Sequence, residues 1–318
     1  MNLRSSDPET LIAAAAGGDK SAISRLISLI ERGGDPARRV SRLTYGRGDS
    51  YTVGLTGAPG AGKSTLTSCL IAEIRAAGRP VAVLAVDPSS PFTGGAILGD
   101  RVRMQDHALD EGVFIRSMAT RGHLGGLALA TPEAVRVLAA AGIGLVLVET
   151  VGVGQVEVDI ARAADTTVVV VNPGWGDTIQ ANKAGLLEIA DVFVINKADR
   201  PGVAETRRDL DNMLDMSSTM GPWRPPIVST VASTGEGVGE LWAAVAAHRE
   251  HLERSGELAL RRTARLCEEL SAVLARGIEQ RVAALEGGAR YQRARDEVVS
   301  GACDPYTAAE DLLEALGL

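Results

Sequence analysis

The sequence has few cysteines, no excess of basic residues and no long apolar run. Its three cysteines, Cys69, Cys267 and Cys303, form no C-x-x-C pair, which disfavours a disulfide framework or a zinc site and fits a reducing cytosol. A net charge of −7 disfavours a surface that coats nucleic acid, because such binding needs a basic excess. No segment reaches the roughly 20 apolar residues that span a bilayer. No basic region precedes an apolar run at the N-terminus either. We therefore expect a cytoplasmic protein without a nucleic-acid or membrane partner.

The apolar residues of the central part fall into short runs between helical stretches. The 318 residues are 45% hydrophobic, which is enough for a sizeable core. The runs do not alternate with polar residues, and this is typical of strands covered on both faces. We therefore predict an α/β fold with a mostly parallel sheet flanked by helices. The runs are 51–56, 81–86, 113–115, 145–148, 166–171, 192–195 and 227–228.

Helical patterns precede and follow the strand-rich part. Asp7-Pro8 predicts the start of a first helix. We divide the chain into an N-terminal helical arm, 1–48, a strand-rich domain, 49–248, and a C-terminal helical arm, 249–318. In the last arm, an apolar stripe runs along one face of a long helix. This stripe either packs on the chain's own sheet or mediates dimerisation. Its residues are Leu266, Leu270, Val273, Leu274, Ile278, Val282 and Leu285.

Residues 57–64 match the P-loop pattern G-x-x-x-x-G-K-[ST] and lie between a predicted strand and a predicted helix. In that context the glycines let successive backbone N–H groups turn toward phosphates, and the helix N-terminus adds its positive end. Lys63 is predicted to reach the β- and γ-phosphates, and the Ser64 hydroxyl to ligate Mg²⁺. The sequence thus predicts a P-loop NTPase. The predicted nucleotide-binding residues here are Gly57, Ala58, Pro59, Gly60, Ala61, Gly62, Lys63, Ser64 and Thr65.

Three acidic residues are candidates for the metal site beside Ser64. Glu149 ends an apolar run and begins the pattern acid-x-x-Gly, in which the Gly152 N–H would meet the γ-phosphate. Asp87 and Asp100 lie on a loop rich in glycine and proline that follows another run, and an ordering of this loop would bring both carboxylates to Mg²⁺. The alternatives are a solvated strand-end acid and an ordinary surface loop.

The motif Asn196-Lys197-Ala198-Asp199 follows a predicted strand and indicates guanine. The Asp199 carboxylate can accept hydrogen bonds from N1–H and the 2-amino group, while Asn196 meets the other edge and Lys197 covers the ring. Adenine offers neither donor, so ATP would leave a buried carboxylate unpaired at a cost of about 1–3 kcal/mol. GTP and GDP are therefore the expected ligands. A further base-binding loop is predicted at Val231-Ala232-Ser233, which departs from the Ser-Ala-Lys found in many GTPases.

Hydrolysis needs an oriented water and a neutralised transferring phosphoryl group, and the candidate catalytic residues are Lys63, Asp100, Glu149 and Gln155. Gln155 stands three residues after Gly152 rather than directly after it. We therefore expect slow intrinsic GTP turnover that a partner accelerates by ordering the loops.

Taken together, these motifs resemble the MeaB/ArgK family of P-loop GTPases over nearly the whole chain. The resemblance implies a homodimer, formed through the C-terminal arm, that acts as a chaperone of adenosylcobalamin-dependent acyl-CoA mutases, chiefly methylmalonyl-CoA mutase. It also implies that residues 172–183 form an additional switch in which Lys183 couples the nucleotide state to the mutase. The motifs that carry it are 57–65, 86–90, 98–101, 120–122, 149–155 and 196–199.

Two other functions remain as alternatives. The first is an ATP-using kinase linked to basic amino-acid transport, which the guanine motif disfavours. The second is a metal-insertion GTPase with another client. Such proteins carry clusters of His or Cys, whereas this chain has scattered histidines, and we expect His248 and His251 on a solvated helix face. The four histidines are His107, His123, His248 and His251.

Overall fold

The protein forms two compact units, and the boundary between them in the sequence falls between Arg265 and Leu266. The computed structural model describes residues 7–88, 104, 107, 109–120, 126–150, 163–174, 189–216, 221–285 and 287–314, with the backbone alone for 87–88, 119–120 and 126–129. Within these ranges, no helix has the length and apolarity that a membrane span requires.

Seven parallel strands form a single sheet in the first unit, as the apolar runs predict. The spatial order is β3-β2-β4-β1-β5-β6-β7, and every neighbouring pair is parallel. The carboxyl ends of β1, β5 and β6 therefore lie side by side at one edge of the sheet. The strands are β1 Tyr51–Gly57, β2 Val81–Pro88, β3 Val113–Thr120, β4 Leu145–Thr150, β5 Thr166–Val171, β6 Val192–Asn196 and β7 Ile227–Thr230.

Helices cover both faces of this sheet. One face packs against α4 and α7, and the other against α1, α2 and α5 over β2, β3 and β4, and against α6 over β5 and β6. Burial on both faces explains why the strands read as continuous apolar runs. The described helices are α1 Pro8–Ala16, α2 Lys20–Arg32, α3 Gly34–Thr44, α4 Lys63–Ala76, α5 Gly126–Ala140, α6 Val203–Met216, α7 Val238–Ser255, α8 Glu257–Leu285, α9 Ala289–Ser300 and α10 Pro305–Glu314.

The N-terminal helices share the core of the first unit. The Asp7 carboxylate accepts a hydrogen bond from the Thr10 N–H and caps α1, as predicted from Asp7-Pro8. Leu26 and Ile27 of α2 are buried in the same cluster as Leu84 of β2. These helices are thus packed on the sheet rather than extended from it.

The second unit begins within the long helix α8, followed by α9 and α10. None of the residues of α8 is buried, and the exposed side chains of the predicted stripe include Leu270 at 61% and Leu274 at 59%.

The expectation that His248 is solvated is wrong. Its side chain is fully buried between α7 and the amino ends of β5 and β6, with Nδ1 2.9 Å from Thr166 Oγ1 and Nε2 3.3 Å from Asp191 Oδ1. The Trp223 ring packs on it at a centroid distance of 4.9 Å. Burial, together with the positive charge of Arg261, lowers the pKa of His248 to about 3.

We expect the neutral, buried His248 to make folding stability depend on pH. The unfolded chain takes up a proton near pH 6.5, whereas the folded protein does so only near pH 3. The unfolded state thus binds more protons between these values, and stability falls as the pH falls, by up to about 1.4 kcal/mol per pH unit. Urea unfolding at pH 7.5, 6 and 5 should show a weaker pH dependence for His248→Gln than for the wild type. Equal slopes for both proteins would show that His248 is not the source.

Candidate nucleotide-binding site

Residues 57–62 connect β1 to α4 at the carboxyl edge of the sheet, and two glycines are required there. Gly57 has φ 133°, and a Cβ at this position would lie 2.0 Å from the Val170 carbonyl oxygen of the neighbouring strand. Gly62 has φ 91°, and a Cβ there would lie 2.4 Å from Asn196 Nδ2. Real Cβ atoms do not approach other atoms so closely, and both φ values favour glycine. The loop is therefore held against β5 on one side and against Asn196 on the other.

Lys63 begins helix α4 and folds back over the loop. Its Nζ donates hydrogen bonds to the carbonyl oxygens of Gly57 at 2.5 Å and Ala58 at 3.1 Å. Within the described ranges, no side chain caps the N-terminus of α4, where Gly62 takes the left-handed conformation. The first N–H groups of the helix, the helix dipole and the ammonium group thus favour an anion at the same place.

Ser64 and Glu149, two of the residues predicted to surround Mg²⁺, are in contact with each other. The Ser64 hydroxyl donates a hydrogen bond to Glu149 Oε1 at 2.5 Å, and both side chains are buried. Glu149 lies at the end of β4, between β1 and β2 in the sheet. A hydroxyl that donates its hydrogen to a carboxylate keeps its lone pairs for a hard cation.

Asn196 joins three segments at the end of β6. Its Nδ2 donates to the Ala61 carbonyl oxygen at 2.8 Å, and its Oδ1 accepts from the Ala232 N–H at 3.1 Å and the Thr230 hydroxyl at 3.2 Å. The side chain is buried. The amide therefore fixes the P-loop relative to the loop that follows β7.

Lys197 and Asp199 follow directly. Lys197 has φ 59°, a left-handed conformation that is rare for residues other than glycine and is concentrated at functional sites. Its Nζ donates to the Gly60 carbonyl oxygen at 2.6 Å, so the lysine stem extends over the P-loop. Asp199 is exposed beside it, where its carboxylate is accessible to a ligand.

The predicted loop Val231-Ala232-Ser233 lies beside Asn196, and two further residues of this region were not predicted. Thr230 donates to Asn196 Oδ1, and Cys69 donates to the Ala232 carbonyl oxygen at 3.1 Å. Asn172, the first residue of the predicted switch, has its Nδ2 3.5 Å from the Gly60 carbonyl oxygen. Thr230 stands at the carboxyl end of β7, and this position is the signal that could have identified it.

Five predicted site residues are not described in full. The structure describes Asp87 by its backbone alone, at the carboxyl end of β2. Four residues lie outside the described part of the chain: Asp100, Gly152, Gln155 and Lys183.

The parallel sheet, the loop between β1 and α4, and the motif after β6 define a P-loop protein of the GTPase class. The family model of the methylmalonyl Co-A mutase-associated GTPase MeaB matches residues 23–286. The chain belongs to the MeaB family.

Relatives and a solved structure agree with this assignment. A putative GTPase of Pyrococcus abyssi is 50% identical over 313 residues, which cover 97% of this chain and 96% of that protein. The mitochondrial methylmalonic aciduria type A homolog of Mus musculus is 33% identical over 273 residues, 80% of this chain and 66% of the mouse protein. The crystal structure of an LAO/AO transport system kinase superposes with a TM-score of 0.71 at 26% identity and 98% coverage of both chains.

We expect Gly62→Ala to displace Asn196 and lower both stability and nucleotide affinity. The left-handed backbone costs about 1–2 kcal/mol, and the displaced amide loses buried hydrogen bonds worth about 1–3 kcal/mol. The matched control is Gly78→Ala, because Gly78 also has a positive φ but no atom within 4 Å of the added Cβ. Urea unfolding and titration with fluorescent GDP measure the two effects. The same GDP affinity for both variants would contradict a role of the Gly62–Asn196 contact in binding.

Proposed function

We propose that this protein is a Mg²⁺-dependent GTPase that serves as a chaperone of an adenosylcobalamin-dependent acyl-CoA mutase, chiefly methylmalonyl-CoA mutase. The observation that carries the GTPase part is the junction at Asn196, whose amide joins the P-loop to the loop after β7, three residues before Asp199. This junction supports a site in which the P-loop takes the phosphates and the motif 196–199 takes the guanine base.

The triphosphate would bind over the P-loop. Lys63 donates to two loop carbonyl oxygens. A phosphate oxygen is a stronger acceptor than a carbonyl oxygen because it is charged. Exchange of the loop contacts for phosphate contacts would place the ammonium charge against the β- and γ-phosphates.

The buried pair of Ser64 and Glu149 fits Mg²⁺. Both contribute oxygen atoms, which this hard cation prefers, and Mg²⁺ usually takes few protein ligands beside phosphates and water. The described residues contain no group of three His, Cys, Asp or Glu side chains that could hold a metal by themselves. We propose that Ser64 holds the ion, with Glu149 orienting the hydroxyl or ligating, and that Asp87 and Asp100 complete the surroundings. The bound ion would neutralise charge on the phosphates.

Hydrolysis requires a positioned water as well as this charge neutralisation. We propose Gln155 for the water and Lys63, Asp100 and Glu149 for the charges, with the Gly152 N–H on the γ-phosphate. The spacing between Gly152 and Gln155 supports a slow intrinsic rate that rises when a partner orders the segment.

The family name supports the client, since the matching family model is that of a methylmalonyl Co-A mutase-associated GTPase. We propose that the protein gates cofactor loading of the mutase and protects it, with Lys183 coupling the nucleotide state to the client in the cytoplasm. The exposed stripe on α8 supports dimerisation through the C-terminal arm 249–318. In this division, residues 49–248 form the GTPase domain and 1–48 the N-terminal arm.

We expect Asp199→Asn to relax the preference for guanine. The amide cannot accept two hydrogen bonds with a full negative charge, and a bond to a charged group is worth about 1.5–3 kcal/mol. GDP affinity should fall roughly 10- to 100-fold, while the affinity for ADP stays unchanged or rises. Asp209→Asn on the exposed face of α6 is the matched control and should bind GDP as the wild type does. An unchanged GDP-to-ADP ratio in Asp199→Asn would remove Asp199 from the base site.

We expect methylmalonyl-CoA mutase to accelerate GTP turnover but not ATP turnover by this protein. Phosphate release should be followed for the protein alone and with the mutase, loaded and unloaded with adenosylcobalamin. Sedimentation of the same samples tests the dimer, and the mass of a single chain would contradict it.

The outcomes of this assay separate the alternatives. GTP turnover that does not respond to the mutase would leave a GTPase with another client, such as a metal-insertion partner. ATP turnover equal to GTP turnover would instead support a kinase function, as in the name of the LAO/AO transport system kinase.

A further inference from the structure

The amino edge of the sheet, opposite the nucleotide site, holds two buried aspartates that extend the strand ladder. Asp165 precedes β5: its N–H donates to the Thr52 carbonyl oxygen at 2.8 Å, and its Oδ2 accepts from the Thr52 N–H at 3.0 Å. Asp191 precedes β6 and repeats this arrangement on Thr167, at 2.9 and 2.8 Å. Each aspartate thereby binds the neighbouring strand with both its backbone and its side chain.

Three arginines of the first turns of α8 hold these aspartates. Arg262 donates to both carboxylate oxygens of Asp165, at 3.1 and 2.9 Å, and Arg265 adds a further hydrogen bond to Oδ1. Arg261 donates to Asp191 Oδ1 at 3.0 Å. We call these five residues the arginine clamp.

Arg262 also reaches the start of β1. It donates to the Ser50 carbonyl oxygen at 2.9 Å and to Asp49 Oδ1 at 2.7 Å. The helix is therefore bound to the amino ends of β1, β5 and β6 at once. The Asp165 side chain is only 2% exposed and that of Asp191 10%, so most of these bonds are shielded from water.

The same three strands carry the candidate nucleotide site at their other ends. β1 ends in the P-loop at Gly57, β5 leads to Asn172, and β6 ends at Asn196. A strand of six residues spans about 20 Å. Each strand is hydrogen bonded on both sides and buried, so a displacement at one end is transmitted along a stiff element rather than absorbed.

We propose that the arginine clamp positions the nucleotide-binding loops through β1, β5 and β6, and that Arg262 is a positioning residue for this site. By the reciprocity of linked equilibria, nucleotide binding then also fixes the first turns of α8. The effect of nucleotide binding on α8 rests on the proposed function, whereas the effect of the clamp on the loops concerns the chain alone.

The first experiment needs no nucleotide. Amide hydrogen exchange of the full chain is compared for wild type, Arg262→Ala and a control, Arg39→Ala, which removes a guanidinium from an exposed ion pair with Glu9. We expect Arg262→Ala to speed exchange at least threefold in residues 57–63 and 196–199, at the far ends of the strands, and the control to leave these segments unchanged. Faster exchange confined to 257–265 and to the amino ends of the strands would overturn the proposal.

The second experiment measures GDP affinity and the exchange of residues 257–265 with and without GDP. We expect Arg262→Ala to weaken GDP binding about 3- to 10-fold, and GDP to slow exchange of 257–265 in the wild type but not in the variant. A structural role confined to stability would lower the unfolding midpoint and leave both quantities unchanged, which overturns the proposal. If Arg262→Ala does not fold, Arg262→Lys keeps the charge but loses the two-pronged contact, and the same results are expected in weaker form.

If GDP does not bind the wild type at all, the proposed GTPase function fails. The first experiment still decides whether the clamp controls the loops. The two failures are thus distinguishable.

Discussion

The geometry of the candidate site depends on one buried side chain, the amide of Asn196. A buried amide must find partners for both its donor and its acceptor, because an unpaired buried polar group costs about 1–3 kcal/mol. Here the partners come from two different loops, with Ala61 on one side and Thr230 and Ala232 on the other. The loops that would enclose a base and a phosphate are thereby fixed to each other before any ligand is present, which reduces the ordering that binding requires.

The order of strands makes this junction possible. β6 is far from β1 in sequence, but only β5 lies between them in the sheet. In a parallel sheet, all strands present their carboxyl ends at one edge, where a break in strand order opens a crevice for a ligand. The P-loop, Glu149 and Asn196 come from three strands that meet at this edge. The strand order thus brings Ser64 to Glu149 across 85 positions of sequence, and Ala61 to Asn196 across 135.

Much of this could be predicted from the sequence, because the patterns involved are local. Each of the seven strands contains one of the predicted apolar runs, and the P-loop and the guanine motif are short segments with defined geometry. The burial of His248 also had a signal: Leu241, Val245, His248 and Leu252 recur at helical spacing, and all four are buried. No sequence signal identifies the arginine partners of the two aspartates. Arg262 lies 97 positions from Asp165, and Arg261 lies 70 positions from Asp191. A pairing over such a distance depends on the tertiary fold, and so does the contact between Thr230 and Asn196.

The charged residues at the amino edge of the sheet fix the register of β5 and β6. β5 (TTVVVV) and β6 (VFVIN) are buried on both faces, and neither strand alternates polar with apolar residues. Apolar patterning therefore specifies their register only weakly. Asp165 and Asp191 specify it, because a shifted strand would separate each carboxylate from its threonine N–H and from its arginine. Burial opposes ionisation of Asp165, but Arg262 and Arg265 outweigh it and hold its pKa below the usual range, so the carboxylate stays charged. A buried ion pair adds little net stability, but a shifted strand would leave its charges buried and unpaired, which is strongly destabilising. If the clamp acts as proposed, correct alignment at this edge brings Ala61 and Asn196 within hydrogen-bond distance of each other at the opposite edge.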